Sequence, residues 1–200
     1  HQQRSIELLV TGDAPDDVGQ KVHNQLVALR PLVEAERADP SGAVWVFADS
    51  DSAPGRDWLR KLIRPLDEPG VLVSSGYRWL VPADGRLASV WGSVMNAAVA
   101  SFLSRPQFGE AWGGSMAIRA EVAADESDGG GILDHLRGAI TDDYPLTRLA
   151  RRKGGRVHFH PHCLVASPAA FTWATLGNFA YRQYLITRTY DRRLYAAAIG

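Results

Sequence analysis

Five apolar residues, Val44-Trp45-Val46-Phe47-Ala48, run straight into Asp49-Ser50-Asp51. No other stretch constrains the chain as much. The apolar run reads as a short buried strand, and strand side chains repeat every second residue, so the two carboxylates leave the strand end on one side. Such a pair can hold one hard cation through oxygen, and a magnesium or manganese ion held that way neutralises a diphosphate. Open α/β sheets gather their ligands at the carboxyl ends of strands. On these residues alone a solvated turn shared with Ser52 and Asp57 stays open as the alternative.

The 200 residues suit one domain with a real core, and 46% hydrophobic with 22% charged residues is an ordinary globular balance. Lys plus Arg number 22 and Asp plus Glu 22, so no global field argues for nucleic acid or an anionic membrane face as a partner. The single cysteine, Cys163, excludes an internal disulfide and a cysteine zinc cluster; it lies in the apolar run Cys163-Leu164-Val165-Ala166 and reads as a buried structural thiol. The chain carries no signal peptide, and no apolar run reaches the roughly 18 residues that span a bilayer. It opens on His1 and closes on Ala196-Ala197-Ala198-Ile199-Gly200, which leads us to expect a segment of a longer protein.

Strand-like and helix-like stretches alternate, which predicts a layered α/β domain. Ile6–Val10 reads as a buried strand ending at Thr11-Gly12-Asp13, followed by a helix through Val18, Val22, Leu26 and Leu29 capped by Asp16 or Asp17. Pro40-Ser41-Gly42 is a turn. Asp57 is a candidate cap for a helix holding Trp58, Leu62 and Ile63. Residues 71–81 read as a strand broken by Gly76, and Leu87–Leu103 as a long helix with small residues on one side. Trp112-Gly113-Gly114-Ser115 is a tight loop before the strand Met116-Ala117-Ile118. Thr141 is a candidate cap for a helix through Leu146 and Leu149 to Arg151-Arg152-Lys153, ended by Gly154-Gly155. Two short strands, 156–159 and 163–165, flank Pro161, and residues 171–198 read as a helical, aromatic, Arg-rich segment.

Five further constellations can carry chemistry. Asp142-Asp143-Tyr144 at a helix start is either a cap riding the helix dipole or the seat of a general base. Lys21 and Asn24 share a helix face and suit either a nucleotide contact or a solvated surface. In Trp112-Gly113-Gly114-Ser115 the glycines allow close approach of a ligand and the Trp offers a wall; a tight turn beside a core Trp is the alternative. His158, His160 and His162 alternate as zinc ligands would, but Pro161 interrupts them and no carboxylate is close in sequence, which favours structural or surface roles. Tyr181-Arg182-Gln183-Tyr184 with Arg188 suits either a clamp for a diphosphate or the positive face of an interfacial helix.

The order of these elements discriminates more than any one of them. Lys-x-x-Asn, strand–Asp-Ser-Asp, Gly76-Tyr77-Arg78-Trp79, Trp112-Gly113-Gly114-Ser115-Met116-Ala117-Ile118-Arg119 and Asp142-Asp143-Tyr144 follow one another from about Ile6 to Tyr190. This resembles the GT-A glycosyltransferases of family 2 and, more closely, the ceramide glucosyltransferase-like family 21. The resemblance implies a Rossmann-like nucleotide-diphospho-sugar transferase fold. It implies Asp51 and Asp49 as metal ligands, with Asp49 nearer the nucleotide sugar, and Asp143 as catalytic base with Asp142 its neighbour. Lys21 and Asn24 become donor-nucleotide contacts, and Gly113 and Gly114 part of the wall around donor sugar and acceptor. Arg182, Gln183 and Arg188 fall where the family places a (Gln/Arg)-x-x-Arg-Trp motif; here no Trp follows an Arg and the Gln183–Arg188 spacing differs. Members also begin with a strand and an early Asp that contact the uracil, which nothing before Ile6 supplies, so residues 1–200 are expected to be a partial GT-A catalytic domain lacking its first strand or strands.

The implied reaction is an inverting, Mg2+- or Mn2+-assisted transfer of a sugar, with glucose implied, from a UDP-sugar to a lipid hydroxyl such as ceramide. The implied setting is a multi-pass membrane parent with its catalytic domain in the cytoplasm, and segment 171–200 an amphipathic, membrane-interfacial helix. Two other functions remain on this footing: a polysaccharide synthase of family 2 type, and a non-catalytic GT-A-like binding domain. The retained carboxylates at Asp49, Asp51 and Asp143 argue against the second.

Overall fold

In the computed structural model, which describes residues 6–105, 108–192 and 195–196, helices cover both faces of one four-stranded mixed sheet. The strands are β1 (Val44–Ala48), β2 (Val71–Pro82), β3 (Ser115–Arg119) and β4 (Arg156–Ala169). Their order is β1-β3-β2-β4; β3 runs antiparallel to both β1 and β2, and β2 pairs in parallel with β4.

Period-two alternation sorts the strand side chains between two cores. Met116 and Ile118 of β3 face the larger one. There they meet Val22, Leu29 and Val33 of α1 (Gln20–Ala38), Ala123 and Ala124 of α4 (Ala120–Ala124), Ile132 and Leu136 of α5 (Ile132–Leu136), and Leu146 and Leu149 of α6 (Asp143–Arg152). Ala117, between them in sequence, faces the opposite side. It packs there with Leu62 of α2 (Trp58–Ile63), Leu66 of the 3₁₀ turn Arg64–Asp67, Val71 and Cys163. Cys163 is fully buried, and burial pushes its thiol up to about 11, so it is a structural thiol. Of the remaining helices, α3 (Leu87–Leu103) lies against the far end of β2 and α7 (Trp173–Tyr190) against α3.

Several local expectations change. Ile6–Val10 forms no strand; Ile6 is 96% exposed and Val10 86%, because no described strand offers them a ladder. α1 starts one residue after Gly19, without a side-chain cap from Asp16 or Asp17. Asp57 occupies the cap position of α2 but turns its carboxylate to Arg60 instead of the helix N–H groups. α6 begins after Asp142, and the Thr141 hydroxyl bonds Asp143 rather than a backbone amide. The two strands around Pro161 are one strand, β4, with a bulge: Ser75 faces Phe159 but Tyr77 already faces Leu164. Gly76 makes that bulge possible, since a Cβ there would sit 2.0 Å from the Cys163 carbonyl oxygen. The helical reading of 171–198 holds over Trp173–Tyr190, and its last residues lie outside the described set.

Candidate active site

The acidic strand tip and the head of α6 meet across the loop that leads from α3 into β3. β1 and β3 pair to their ends, Ala48 opposite Ser115, and the ladder continues as the Asp49 N–H donates to the Gly114 carbonyl at 3.3 Å. The Trp112–Ser115 loop is held from three sides. The Ala111 N–H donates to Thr147 Oγ1 (2.8 Å), the Trp112 N–H to Ser75 Oγ (2.8 Å), and Trp58 Nε1 to Ser115 Oγ (2.8 Å). Tyr77 meets the Trp112 ring edge-on at 5.7 Å, and the Arg78 guanidinium lies 5.5 Å from its centroid.

Carboxylates pack directly on this loop. A Cβ on Gly113 would fall 2.1–2.3 Å from the Asp142 carboxylate; one on Gly114 would fall 2.5 Å from Asp49 Oδ2 and 2.3 Å from the Trp112 ring. Only glycine leaves room here. Asp143 Oδ1 accepts the Gly113 N–H at 2.5 Å, and its Oδ2 accepts the Thr141 hydroxyl at 3.2 Å. Lys21 closes the cluster: its Nζ lies 2.7 Å from Asp49 Oδ1 and 3.2 Å from Asp142 Oδ2. Burial opposes its charge, but Asp142, then Asp49 and Asp143, outweigh that and raise its pKa. One turn on, Gln25 Nε2 donates to Asp142 Oδ2 at 2.6 Å, leaving its own Oε1 buried without a partner.

Asp143 carries the perturbed acid. Burial is the largest cause and the adjacent Asp142 charge the second; together they hold its carboxyl well above the usual carboxylate range, against the Gly113 N–H, Lys21 and Thr141. Its carboxyl therefore titrates nearer neutrality than an ordinary Asp, as suits a group that takes and returns a proton.

The structure thus gathers Lys21, Asp49, Gly113, Gly114, Asp142 and Asp143. Asp51 stands exposed at the rim, with no hydrogen bond or ion pair among the described residues. Asn24 faces a different neighbour: its Oδ1 accepts from Thr11 (2.6 Å) and Gln20 (2.8 Å), tying the preceding segment to α1. Arg182, Gln183 and Arg188 are exposed on α7, and none is bonded to the cluster among the described residues. Yet α7 reaches the head of α6 by another route. Tyr144 Oη donates to Thr187 Oγ1 (3.0 Å), the Tyr144 and Tyr190 rings stack at 5.3 Å, and Tyr190 Oη accepts the Ile140 N–H (3.0 Å). Sequence reading missed Gln25, Ser75 and Thr147. Gln25 had a signal, being four residues from Lys21 and so on its face; the other two acquire partners only through the fold.

Among the described residues no three His, Cys, Asp or Glu side chains converge on one point that could hold a metal ion. Neither the alternating histidines nor the pair Asp49 and Asp51 makes such a group among the described residues. A model of the family described as glycosyltransferase like family 2 matches residues 13–186. The chain belongs to that family. Its mixed sheet with helices on both faces is a GT-A-like fold, and its class of reaction is glycosyl transfer from a nucleotide-sugar donor to an acceptor. No curated protein matches this glycosyltransferase domain.

Proposed function

We propose that this domain is an inverting hexosyltransferase that moves a sugar, with glucose the leading candidate, from a UDP-sugar to a lipid hydroxyl such as that of ceramide. The observation that carries the chemistry is the meeting of Asp49, Asp142 and Asp143 around Gly113-Gly114. In this reading Asp143 takes the proton of the acceptor hydroxyl as its oxygen attacks the anomeric carbon. The bond to the diphosphate breaks on the opposite face, the proton rests on Asp143, and an α-linked donor gives a β-glycoside. In this reading the donor sugar sits beside the Gly113-Gly114 loop, next to the Asp49 and Asp142 carboxylates packed on it. Lys21 pairs with both Asp49 and Asp142 and holds the two carboxylates together. Asn24, Arg182, Gln183 and Arg188 are assigned to the donor by resemblance alone.

Asp51, without a partner among the described residues, and Asp49 suit a hard divalent cation, since both offer carboxylate oxygen. Magnesium or manganese held there supplies charge neutralisation for the leaving diphosphate.

Support for a lipid acceptor and a membrane setting comes from α3. Its residues carry no charge from Leu87 to Leu103, and it is turned inside out. Ala88, Ser89, Gly92, Asn96 and Ala100 face the protein; Leu87 (76% exposed), Val90, Trp91 (56%), Val94 and Val99 face outward. Trp173, Tyr181 and Leu185 of α7 are exposed as well. No helix among the described residues is long and apolar enough to cross a membrane, so this surface suits lying on one. The parent is, in this proposal, a membrane protein that presents the domain to the cytoplasm.

The test is an assay of the full-length protein with radiolabelled UDP-sugars, ceramide and Mg2+ or Mn2+, read for lipid or polymer product, beside calorimetry of UDP with and without metal. Asp143→Asn is expected to lower kcat by about 10²- to 10⁴-fold with UDP affinity little changed. Transfer that survives the substitution would overturn the base assignment. Absence of metal-dependent UDP binding would favour a non-catalytic domain.

A further inference from the structure

On the α2 face of the sheet, away from the acidic cluster, α2, the 3₁₀ turn and the β4 bulge border a solvent-open pocket of about 450 Å³ lined by Arg60, Lys61, Arg64, His160 and His162. No carboxylate lines it. In a chain with 22 basic and 22 acidic residues this is a local excess of one sign. Arg60 is engaged by Asp57, but Lys61 and Arg64 have no carboxylate within ion-pair distance among the described residues. From β4, His158, His160 and His162 stand in a column, with neighbouring ring centroids 5.9 and 5.7 Å apart. Glu68 is the acid that approaches the column; it sits at its far end, 3.8 Å from His158 and 3.2 Å from Arg156. Pro161 and the bulge bring His160 and His162 to this wall, since they belong to the residues skipped by the β2–β4 register.

We propose that this pocket is a binding site for a phosphate ester. Lys61 contributes a point charge, Arg64 a planar fork of N–H donors matched to phosphate oxygens, and the two imidazoles further N–H groups when protonated. The volume exceeds that of a bare phosphate, so the organic part of the ester has space beside the cations. His160 is held below the ordinary histidine range first by burial, then by His158, His162 and Lys61; His158 is lowered by burial, with Glu68 opposing and Arg156 adding. An anion in the pocket reverses the charge contribution, so its binding takes up protons and tightens as pH falls.

Two sources carry this chemistry, a soluble phosphate ester and the headgroup of an anionic phospholipid. The full chain is titrated with glycerophosphoglycerol, a diester of fixed charge, while histidine ring resonances are followed. In parallel it is sedimented with vesicles of phosphatidylcholine, with and without phosphatidylglycerol. Saturable diester binding that is about threefold tighter near pH 6 than near pH 8 is expected for the site, as is about tenfold weakening in Lys61→Ala/Arg64→Ala. Binding to the diester assigns a soluble ester. Binding to phosphatidylglycerol vesicles alone, lost in the double variant, assigns a lipid headgroup. Arg64→Ala, at an exposed position, gives the same direction of change should the double variant not fold. No binding to either probe, or binding unchanged in the variants, overturns the proposal, and neither result bears on Asp143.

Discussion

Two charged regions of this domain are built on opposite principles. Around Gly113-Gly114, Asp49, Asp142 and Asp143 are held by Lys21, the Gly113 N–H, Gln25 and Thr141. On the α2 face, Lys61, Arg64, His160 and His162 line one pocket with no acid in its lining among the described residues. The first region is held in place by its own partners and is organised before any ligand arrives. The second retains unneutralised charge. A mutation that removes a cation should therefore have opposite signs in the two places.

The largest effect is expected at Gly113→Ala. The new Cβ falls inside contact distance of the Asp142 carboxylate, and overpacking of this kind costs about 1–3 kcal/mol. Thermal unfolding should show the loss, and transfer activity should fall further than stability, because the same loop positions Asp143. An unchanged melting temperature would mean the loop is looser than its contacts suggest. Next comes Lys21→Met, which leaves the buried Asp142 with Gln25 but no ammonium. Lys21 is 45% exposed, so we expect a loss of about 1–2 kcal/mol by denaturant titration, below the figure for a fully buried pair.

Proton linkage sharpens the same point. Asp143 must be ionised to accept a proton, and its pKa is raised, so kcat/KM should fall on the acid side with a midpoint above the ordinary carboxylate range. For stability the sign is reversed. A carboxyl with a folded pKa above its unfolded one favours the folded state while protonated; that contribution is present below the unfolded pKa and is lost as pH climbs through the folded one. The ligand-free domain should lose stability over the window in which activity appears, as denaturation at a series of pH values would show. The smallest effect belongs to Lys61→Met. Removing one of several like charges should leave stability unchanged or raise it by about 0.5 kcal/mol without phosphate ester. A clear destabilisation would show that Lys61 already has a structural partner and would break the contrast.

Much of this was readable along the chain. The run Val44–Ala48 ending in Asp-Ser-Asp, the loop Trp112–Ser115 and the pair Asp142-Asp143 each lie where the spacing places them. The inward small-residue face of α3 follows from its own sequence, and so does the buried thiol of Cys163. Less legible were the boundaries and caps. Asp57, Asp16 and Thr141 are all good capping residues by type, but the caps did not form; Asp57 turned to Arg60 and Thr141 to Asp143. Ile6–Val10 has strand composition without a strand beside it. A strand is a property of a pair, so composition alone could not decide it.

What the sequence determined by itself was local: which stretches are apolar with period two or 3.6, where glycine permits close approach, and which acids stand together. Only the tertiary structure decided which of those acids share a counter-ion. Asp49 and Asp142 are far apart in the chain, and Lys21 joins them because β1, α6 and α1 converge at one end of the sheet. It also decided that Pro161 would bulge a strand rather than divide it, and that His160 and His162 would meet Lys61. The reason is range. Backbone preference acts over a few residues, whereas a charge feels whatever the packed core brings within a few ångströms, and packing is set by the whole chain at once.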